Sequence, residues 1–224
     1  VPEPYGTKTM KSDTEEKYLQ QVNRVIDYIN SHLNEPLRVE TLAREVCLSE
    51  YHFHRIMRAY LHEPLATYIA RQRVERAVMY LQMKNIHLAQ VAEMVGYETP
   101  QSLSKAFKQF FGISPTAYRK RRAERYEEFS TLKKESLKPE ILTEPELKLV
   151  YIRIIGRYGE EEPYIEAWRK LRDFLQINGL LTPSTRWIGI SFDDPTVTKT
   201  EQCRFYACAT VEHDVSPQGA FGMK

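Results

Sequence analysis

Cysteine is scarce in this chain and badly placed for chemistry. Cys47, Cys203 and Cys208 are the only three, and their spacing makes no metal motif. Cys203 and Cys208 would point to opposite faces of a strand. All three read as reduced thiols of a cytoplasmic protein. No apolar run approaches the ~20 residues of a membrane-spanning helix. The first thirteen residues also lack the apolar core of a secretory signal. Met10 is a candidate natural start, which would make residues 1–9 an upstream addition. No nucleophile stands beside a partner base, and Glu160, Glu161 and Glu162 read as a solvated loop. His52 and His54 would sit about 200° apart on a helix, and His62 and His87 fall near helix ends. Neither arrangement suits a metal, and no cofactor is expected.

What is present is an ordinary soluble composition with an uneven charge. A length of 224 residues accommodates one large or two small domains, and 42% hydrophobic content suits a globular chain. The formal net charge is +2. Residues 20–122 hold 15 Lys and Arg against 9 Asp and Glu, a net of +6. Residues 123–224 hold 14 against 17, a net of −3. A basic region joined to a mildly acidic one suits a nucleic-acid binder with a separate regulatory part.

The basic region contains one pattern twice. Leu42-Ala43, Val46-Cys47-Leu48, Phe53, Met57 and Arg58 return as Val91-Ala92, Val95-Gly96-Tyr97, Leu103, Phe107 and Lys108. The shift is 49 residues before the turn and 50 after it. Each copy reads as a short helix, a tight turn and a second helix. Ala43 and Ala92 sit where helices approach closely. Val46, Leu48, Val95 and Tyr97 fill the corners. The second helices carry His52, His54, Arg55 and Arg58, or Gln101, Ser104, Lys105 and Lys108, outward. A helix of this kind can enter the major groove of DNA.

Taken in order, residues 1–16 are polar and expected to be loose. Val22, Val25, Ile26, Ile29 and Leu33 predict a helix from about Lys17 to Leu33, ended by Asn34-Glu35-Pro36. The first repeat predicts helices over Val39–Cys47 and Ser49–Leu61, with Ser49 as N-cap. Pro64 opens a longer helix to about Lys84, whose twenty residues span about 30 Å. That approaches the ~34 Å between successive major-groove faces, so this helix could hold two recognition helices on one duplex without dimerisation. The second repeat predicts helices near Leu88–Val95 and Thr99–Phe111, and a last helix from Ser114-Pro115 to about Arg122. Arg119-Lys120-Arg121-Arg122 reads equally as a phosphate contact or as a solvated helix end.

Residues 20–122 resemble the DNA-binding domain of the AraC/XylS family of transcription regulators. The resemblance rests on both repeats, on Tyr68-Ile69, Arg73-Val74 and Ala77 between them, and on Phe111-Gly112, Ser114-Pro115 and Tyr118-Arg119. The chain departs from the pattern at Cys47, where the second copy has Gly96, at Met57, where it has Phe107, and at His62, where it has Gly112. The first turn should therefore be strained or less rigid. The resemblance implies that Tyr51, His54 and Arg55 of one recognition helix face base edges. In the other, Pro100, Gln101, Ser102, Ser104 and Lys105 would do so. Arg and Lys can donate to guanine O6 and N7, and Gln can pair with adenine. Pro100 offers only van der Waals contact or a helix start. Tyr51 reads alternatively as packing, and Ser104 as solvent face. Phe53 and Leu103 are core.

The rear half changes period. Residues 123–142 read as a charged linker that could extend the last helix. Leu147 to Ile155 reads as a strand apolar on nearly both faces, Tyr164 to Asn178 as a helix, and Arg186–Phe192 and Arg204–Glu212 as two strands. This β-α-β-β order resembles the first half of a GyrI-like effector-binding domain, found in Rob-like regulators. The carrying residues are Leu147, Leu149, Tyr151, Gly156, Trp168, Leu171, Ile188-Gly189-Ile190 and Asp193-Asp194-Pro195. Such domains are usually two related halves around a pocket. The sequence stops at Phe221-Gly222-Met223-Lys224, so it is either truncated there or pairs with something else. The resemblance implies a small amphipathic or cationic ligand, with Tyr151, Trp168, Trp187 and Tyr206 as candidates to line its site. Each reads alternatively as core.

The expected architecture is therefore multidomain. A loose tail (1–16) precedes an all-α double helix-turn-helix DNA-binding domain (17–122), a linker (123–142) and an α+β GyrI-like domain (143–224). The expected function is sequence-specific transcription regulation, with activation the favoured sign. The expected partners are double-stranded DNA, RNA polymerase and a small-molecule effector, with no membrane. A rear domain that binds another protein, or hydrolyses a small molecule, is the alternative.

Overall fold

The computed structural model describes residues 7–83, 86–132, 140–195 and 198–224. Seven helices come first: α1 (Thr7–Ser31), α2 (Val39–Glu45), α3 (Glu50–Leu61), α4 (Leu65–Leu81), α5 (Leu88–Met94), α6 (Pro100–Phe111) and α7 (Pro115–Leu132). Then follow β1 (Leu149–Ile155), α8 (Glu161–Ile177), β2 (Trp187–Ser191), β3 (Arg204–Thr210) and β4 (Phe221–Met223). The chain forms two compact units. One holds α1 as far as Tyr28, residues 39–62 and residues 146–224; the other holds residues 29–38 and 63–145.

α1 differs from the expectation of a loose stretch over residues 1–16, because the helix begins at Thr7. Lys8, Lys11, Glu15, Glu16 and Lys17 are good helix formers but form no apolar stripe. They prolong a helix already nucleated by the buried Val22, Val25, Ile26 and Ile29, and propagation is far cheaper than nucleation. α4 is shorter than its sequence suggests. Its 17 residues span about 25 Å. Its buried face includes Arg71, which donates to Glu63 and, at 3.0 Å, to Glu75.

The two repeats close their turns with the same hydrogen bonds. Leu48 N–H donates to Ala43 C=O at 3.0 Å, and Tyr97 N–H to Ala92 C=O at 2.8 Å. Both turns need a left-handed residue. The second copy uses Gly96 (φ +79°) and the first uses Cys47 (φ +55°). The recognition helices end the same way, on Gly112 (φ +72°) and on His62 (φ +57°). Cys47 and His62 are the non-glycine residues with positive φ among the described residues. The strain expected of the first copy is thus located at two backbone positions. Gly96 has a second reason to lack a side chain: a Cβ there would lie 2.3 Å from the Leu33 carbonyl oxygen.

The strands form a four-stranded antiparallel sheet in the order β2-β3-β1-β4. The fourth strand is absent from the β-α-β-β expectation. Three residues are too few for a periodic signal, and β4 exists because it pairs with Val150–Ile152 of β1. α8 covers one face, over Val150, Ile152, Ile154, Ala207 and Ala209. Tyr151, Tyr206 and Cys208 lie on the opposite face with Ile188, Ile190 and Phe192. Arg204 and Asp193 form a buried pair at 2.6 Å that clamps the start of β3, which gives the Asp193-Asp194-Pro195 loop a structural use.

Glycine should relieve the first copy and side chains should disrupt the second. Cys47→Gly and His62→Gly are each expected to stabilise the chain by roughly 0.5–1 kcal/mol. Gly96→Ala is expected to cost roughly 3 kcal/mol, and Gly112→Ala, with open space around it, about 1 kcal/mol. Urea midpoints at constant m-value test all four.

Candidate functional site

The recognition helices α3 and α6 are built alike. The Ser49 hydroxyl accepts from His52 N–H at 3.4 Å, and the Thr99 hydroxyl from Ser102 N–H at 3.1 Å. Pro100 takes the first helical position, where a missing N–H costs nothing. Phe53, Ile56 and Met57 bury one side of α3, and Leu103 and Phe107 one side of α6. The remaining sides face outward. Tyr51 is 79% exposed, which removes its reading as a packing residue. His54, Arg55, Gln101, Ser102 and Lys105 are exposed, while Pro100 and Ser104 are half-buried.

His52 is a correction. Expected to face outward, it is half-buried, and its Nε2 lies 3.0 Å from the Tyr18 hydroxyl of α1. Gln21 of α1 donates to the Val46 carbonyl at 2.9 Å. α1 therefore grips the turn and the second helix of the first repeat. In the second unit, Arg73 fixes the close approach around Gly96 by donating to the Leu33 and Glu35 carbonyls at 2.9 and 2.8 Å. The basic cluster also differs from its reading. Arg119 is half-buried and donates to the Ile86 carbonyl at 2.9 Å. Lys120, Arg121 and Arg122 are exposed but lie mid-helix, since α7 runs on to Leu132. A helix-end role for them is removed.

The four aromatic candidates of the rear half do not converge. Trp168 and Trp187 meet edge to face at 6.0 Å, on the side of the sheet that α8 covers. Tyr151 and Tyr206 stack at 4.4 Å on the other side. One pocket cannot be lined by all four, because alternate residues of a strand face opposite ways. The second pair belongs to a polar network that sequence reasoning missed. The Tyr151 hydroxyl donates to Asp27 Oδ2 of α1. Arg153 donates to Asp27 Oδ1 at 2.9 Å, to Asn23 Oδ1 at 2.7 Å and to the Tyr206 hydroxyl at 2.8 Å. Burial pushes the Asp27 carboxyl above its usual range, against the opposing pull of Arg153 and the Tyr151 hydrogen bond. The available signal was Arg153 itself, a charge in the middle of a strand with two apolar faces.

An open cavity of about 680 Å³ lies between α1, the end of α8 and the loop before β4, lined by Glu16, Leu19, Asp173, Phe174, Ile177 and Phe221 among others. Among the described residues no His, Cys, Asp and Glu cluster could hold a metal, and no helix is long and apolar enough to cross a membrane.

Two capped helices with exposed polar faces, followed by a sheet with a helix on one side, define a helix-turn-helix protein with an α+β partner domain. Residues 42–121 match the helix-turn-helix domain family, and residues 137–224 match the GyrI-like small molecule binding domain family. The transcriptional activator AarP of Providencia stuartii is 30% identical over 98 residues, which cover 44% of this chain and 73% of AarP. YkgA of Escherichia coli, named as an HTH-type transcriptional regulator, is 28% identical over half of this chain, which spans 47% of its length. The DNA-binding domain of AdpA, solved with a target DNA, is 30% identical, covering 46% of this chain and 94% of that domain at a TM-score of 0.45. The chain belongs to the AraC/XylS family of transcription regulators, with a GyrI-like domain behind its helix-turn-helix domain.

The caps should be measurable one at a time. Ser49→Ala and Thr99→Ala are each expected to cost about 1 kcal/mol, with Thr99→Ala the larger because its bond is shorter. Amide exchange in the first turns of α3 and α6 reads the loss.

Proposed function

We propose that this protein is a sequence-specific DNA-binding regulator that reads two adjacent major-groove segments, one with α3 and one with α6. The observation that carries the reading is the repeated construction of these helices, each capped and packed on one side and polar and exposed on the other. Arg55 and Lys105 donate to guanine edges, Gln101 pairs with adenine, and Tyr51, His54, Ser102 and Ser104 complete the contacts. Pro100 sets the start of its helix. α4 is the rigid spacer that lets one chain dock both helices. Its length is about 25 Å, against the ~34 Å of a full helical turn. Lys120, Arg121 and Arg122 neutralise phosphates, and this supplies affinity without specificity.

Residues 17–122 serve as the DNA-binding part and residues 143–224 as the effector part, with 123–142 between them. The effector is a small amphipathic or cationic molecule, and the regulator acts in the cytoplasm as an activator that contacts RNA polymerase. AarP, which is named as an activator, supports that sign. Catalysis is not part of this reading. The Cys208 thiol is pushed up to about 12 by burial, which makes it a poor nucleophile, and the Tyr151 phenol is engaged by Asp27.

Selection of bound duplexes from a random pool, followed by footprinting, tests the whole. Two protected major-groove segments about one turn apart are expected. Arg55→Ala should lower discrimination between selected and random DNA by ~1–3 kcal/mol. Arg121→Ala should weaken both equally and flatten the salt dependence by about one unit. Equal loss on selected and random DNA for Arg55→Ala would remove α3 as a reader.

A further inference from the structure

α1 covers its polar side, which an amphipathic surface helix would leave in water. Its apolar residues Val22, Val25, Ile26 and Ile29 are all buried. Gln20, Asn23 and Asp27 lie round the other side of the helix, at steps of three and four. Asn23 is nevertheless only 5% exposed. The sheet, which belongs to the same compact unit, meets that side. Arg153, with a side chain 6% exposed, donates to Asp27 Oδ1 at 2.9 Å and to Asn23 Oδ1 at 2.7 Å. The Tyr151 hydroxyl donates to Asp27 Oδ2, and Gln20 donates to the Pro217 carbonyl. Asn23 donates to the Gly219 carbonyl at 3.4 Å.

The same helix holds the first recognition unit. Tyr18 and Gln21 lie on average about 160° around α1 from Gln20, Asn23 and Asp27. The Tyr18 hydroxyl lies 3.0 Å from Nε2 of His52, in the first turn of α3, and Gln21 donates to the Val46 carbonyl at 2.9 Å. Val46 immediately precedes Cys47, the left-handed residue of this turn. α1 thus pins the turn and the start of α3 from one side, and the sheet pins α1 from the other. Residues 1–28, 39–62 and 146–224 form one compact unit, whereas α6 falls in the other, within residues 63–145. Gly96 gives the second repeat an unstrained turn of its own.

We propose that the rear sheet sets how firmly α3 reads its DNA segment, and that it does so through α1. Arg153 is a positioning residue for the first recognition helix. Regulation by the rear domain falls on one of the two DNA segments, and α6 reads the other independently of it. The inference rests on the reading of α3 and α6 as two DNA readers, and adds which of them the rear domain governs. Arg153 has the leverage because its guanidinium cannot discharge. Parted from Asp27 and Asn23 it would be a buried charge without its anion, so the sheet and α1 hold together or rearrange. Tyr18 to Asp27 is under three turns of continuous helix, so a shift at one end is felt at the other. Base-edge hydrogen bonds weaken steeply off their geometry, so a small displacement of α3 lowers discrimination.

The test uses the full chain and a duplex selected by the wild type. Arg55→Ala and Lys105→Ala first assign the segments that α3 and α6 protect. Arg153→Met should then lower base discrimination in the α3 segment about 10-fold, the worth of one bidentate contact, and leave the α6 segment within a factor of about two. Arg153→Lys keeps the charge without the fork and should fall between the wild type and Arg153→Met. Asp27→Asn, which keeps the shape of the side chain, should show the same one-sided loss and covers a failure of Arg153→Met to fold. Tyr18→Phe with Gln21→Ala cuts the link on its other side and should do likewise, with little further loss when combined with Arg153→Met. Asp193→Asn breaks a buried pair of the same sheet that does not involve α1, and should leave both segments unchanged. Amide exchange without DNA should show Arg153→Met less protected over Tyr51–Arg58 and unchanged over Gln101–Lys108. Equal loss at both segments overturns the proposal. So does unchanged protection of α3, or the same one-sided loss in Asp193→Asn. A wild type that selects no duplex counts against the two-reader function instead, and amide exchange still decides the link.

Discussion

A guanidinium that is nearly buried has to meet a carboxylate, and here the carboxylate comes from another part of the chain. Arg153 cannot lose its proton to escape the cost of desolvation, unlike a buried lysine or carboxyl. The face of the sheet that carries it is therefore completed by α1. Asn23 and Gln20 extend the contact along the helix. α1 is also gripped by the first helix-turn-helix through His52 and the Val46 carbonyl. A single helix thus answers to two parts of the sequence more than a hundred residues apart, and one compact unit contains all three pieces.

The repeats obey a different constraint. Two helices joined by so short a turn require one residue in the left-handed region, whatever its identity. Gly96 meets this freely, and Cys47 meets it at a backbone cost. The same pairing recurs at the ends of the recognition helices, in Gly112 and His62. The hydrogen bonds that close the turns agree between copies, so geometry has been kept where side chains differ. Gly96 is further fixed by the Leu33 carbonyl, and Arg73 ties that carbonyl in place. The second copy is therefore a tighter object than the first, which leans on α1 instead.

Much of the candidate nucleic-acid interface was legible because it depends on local chemistry. Ser49 and Thr99 announce helix starts, and the spacing of Phe53, Met57, Leu103 and Phe107 fixes which side is buried. The exposure of Tyr51, Arg55, Gln101 and Lys105 then follows from period alone. A polar side chain with a distant partner leaves no such local mark. His52 has the same neighbours in sequence as an outward residue, and only Tyr18 turns it inward. Arg119 sits in a run of basic residues, and only the Ile86 carbonyl separates it from them. Residue type alone groups the four aromatic residues of the rear half, whereas the pleat of the sheet separates Tyr151 and Tyr206 from Trp168 and Trp187.

The amino-acid order by itself determined the helices, the doubled turn, the strands β1 to β3 and the family, because each is written in periodicity, capping and turn residues within a few positions of one another. Tertiary structure alone decided where α1 goes, that Phe221–Met223 becomes a strand, and that Asp27 meets Arg153. Those outcomes depend on groups far apart in sequence, 69 to 73 positions for β4 on β1 and 126 for Asp27 and Arg153, and no local pattern records which distant group will satisfy a buried one.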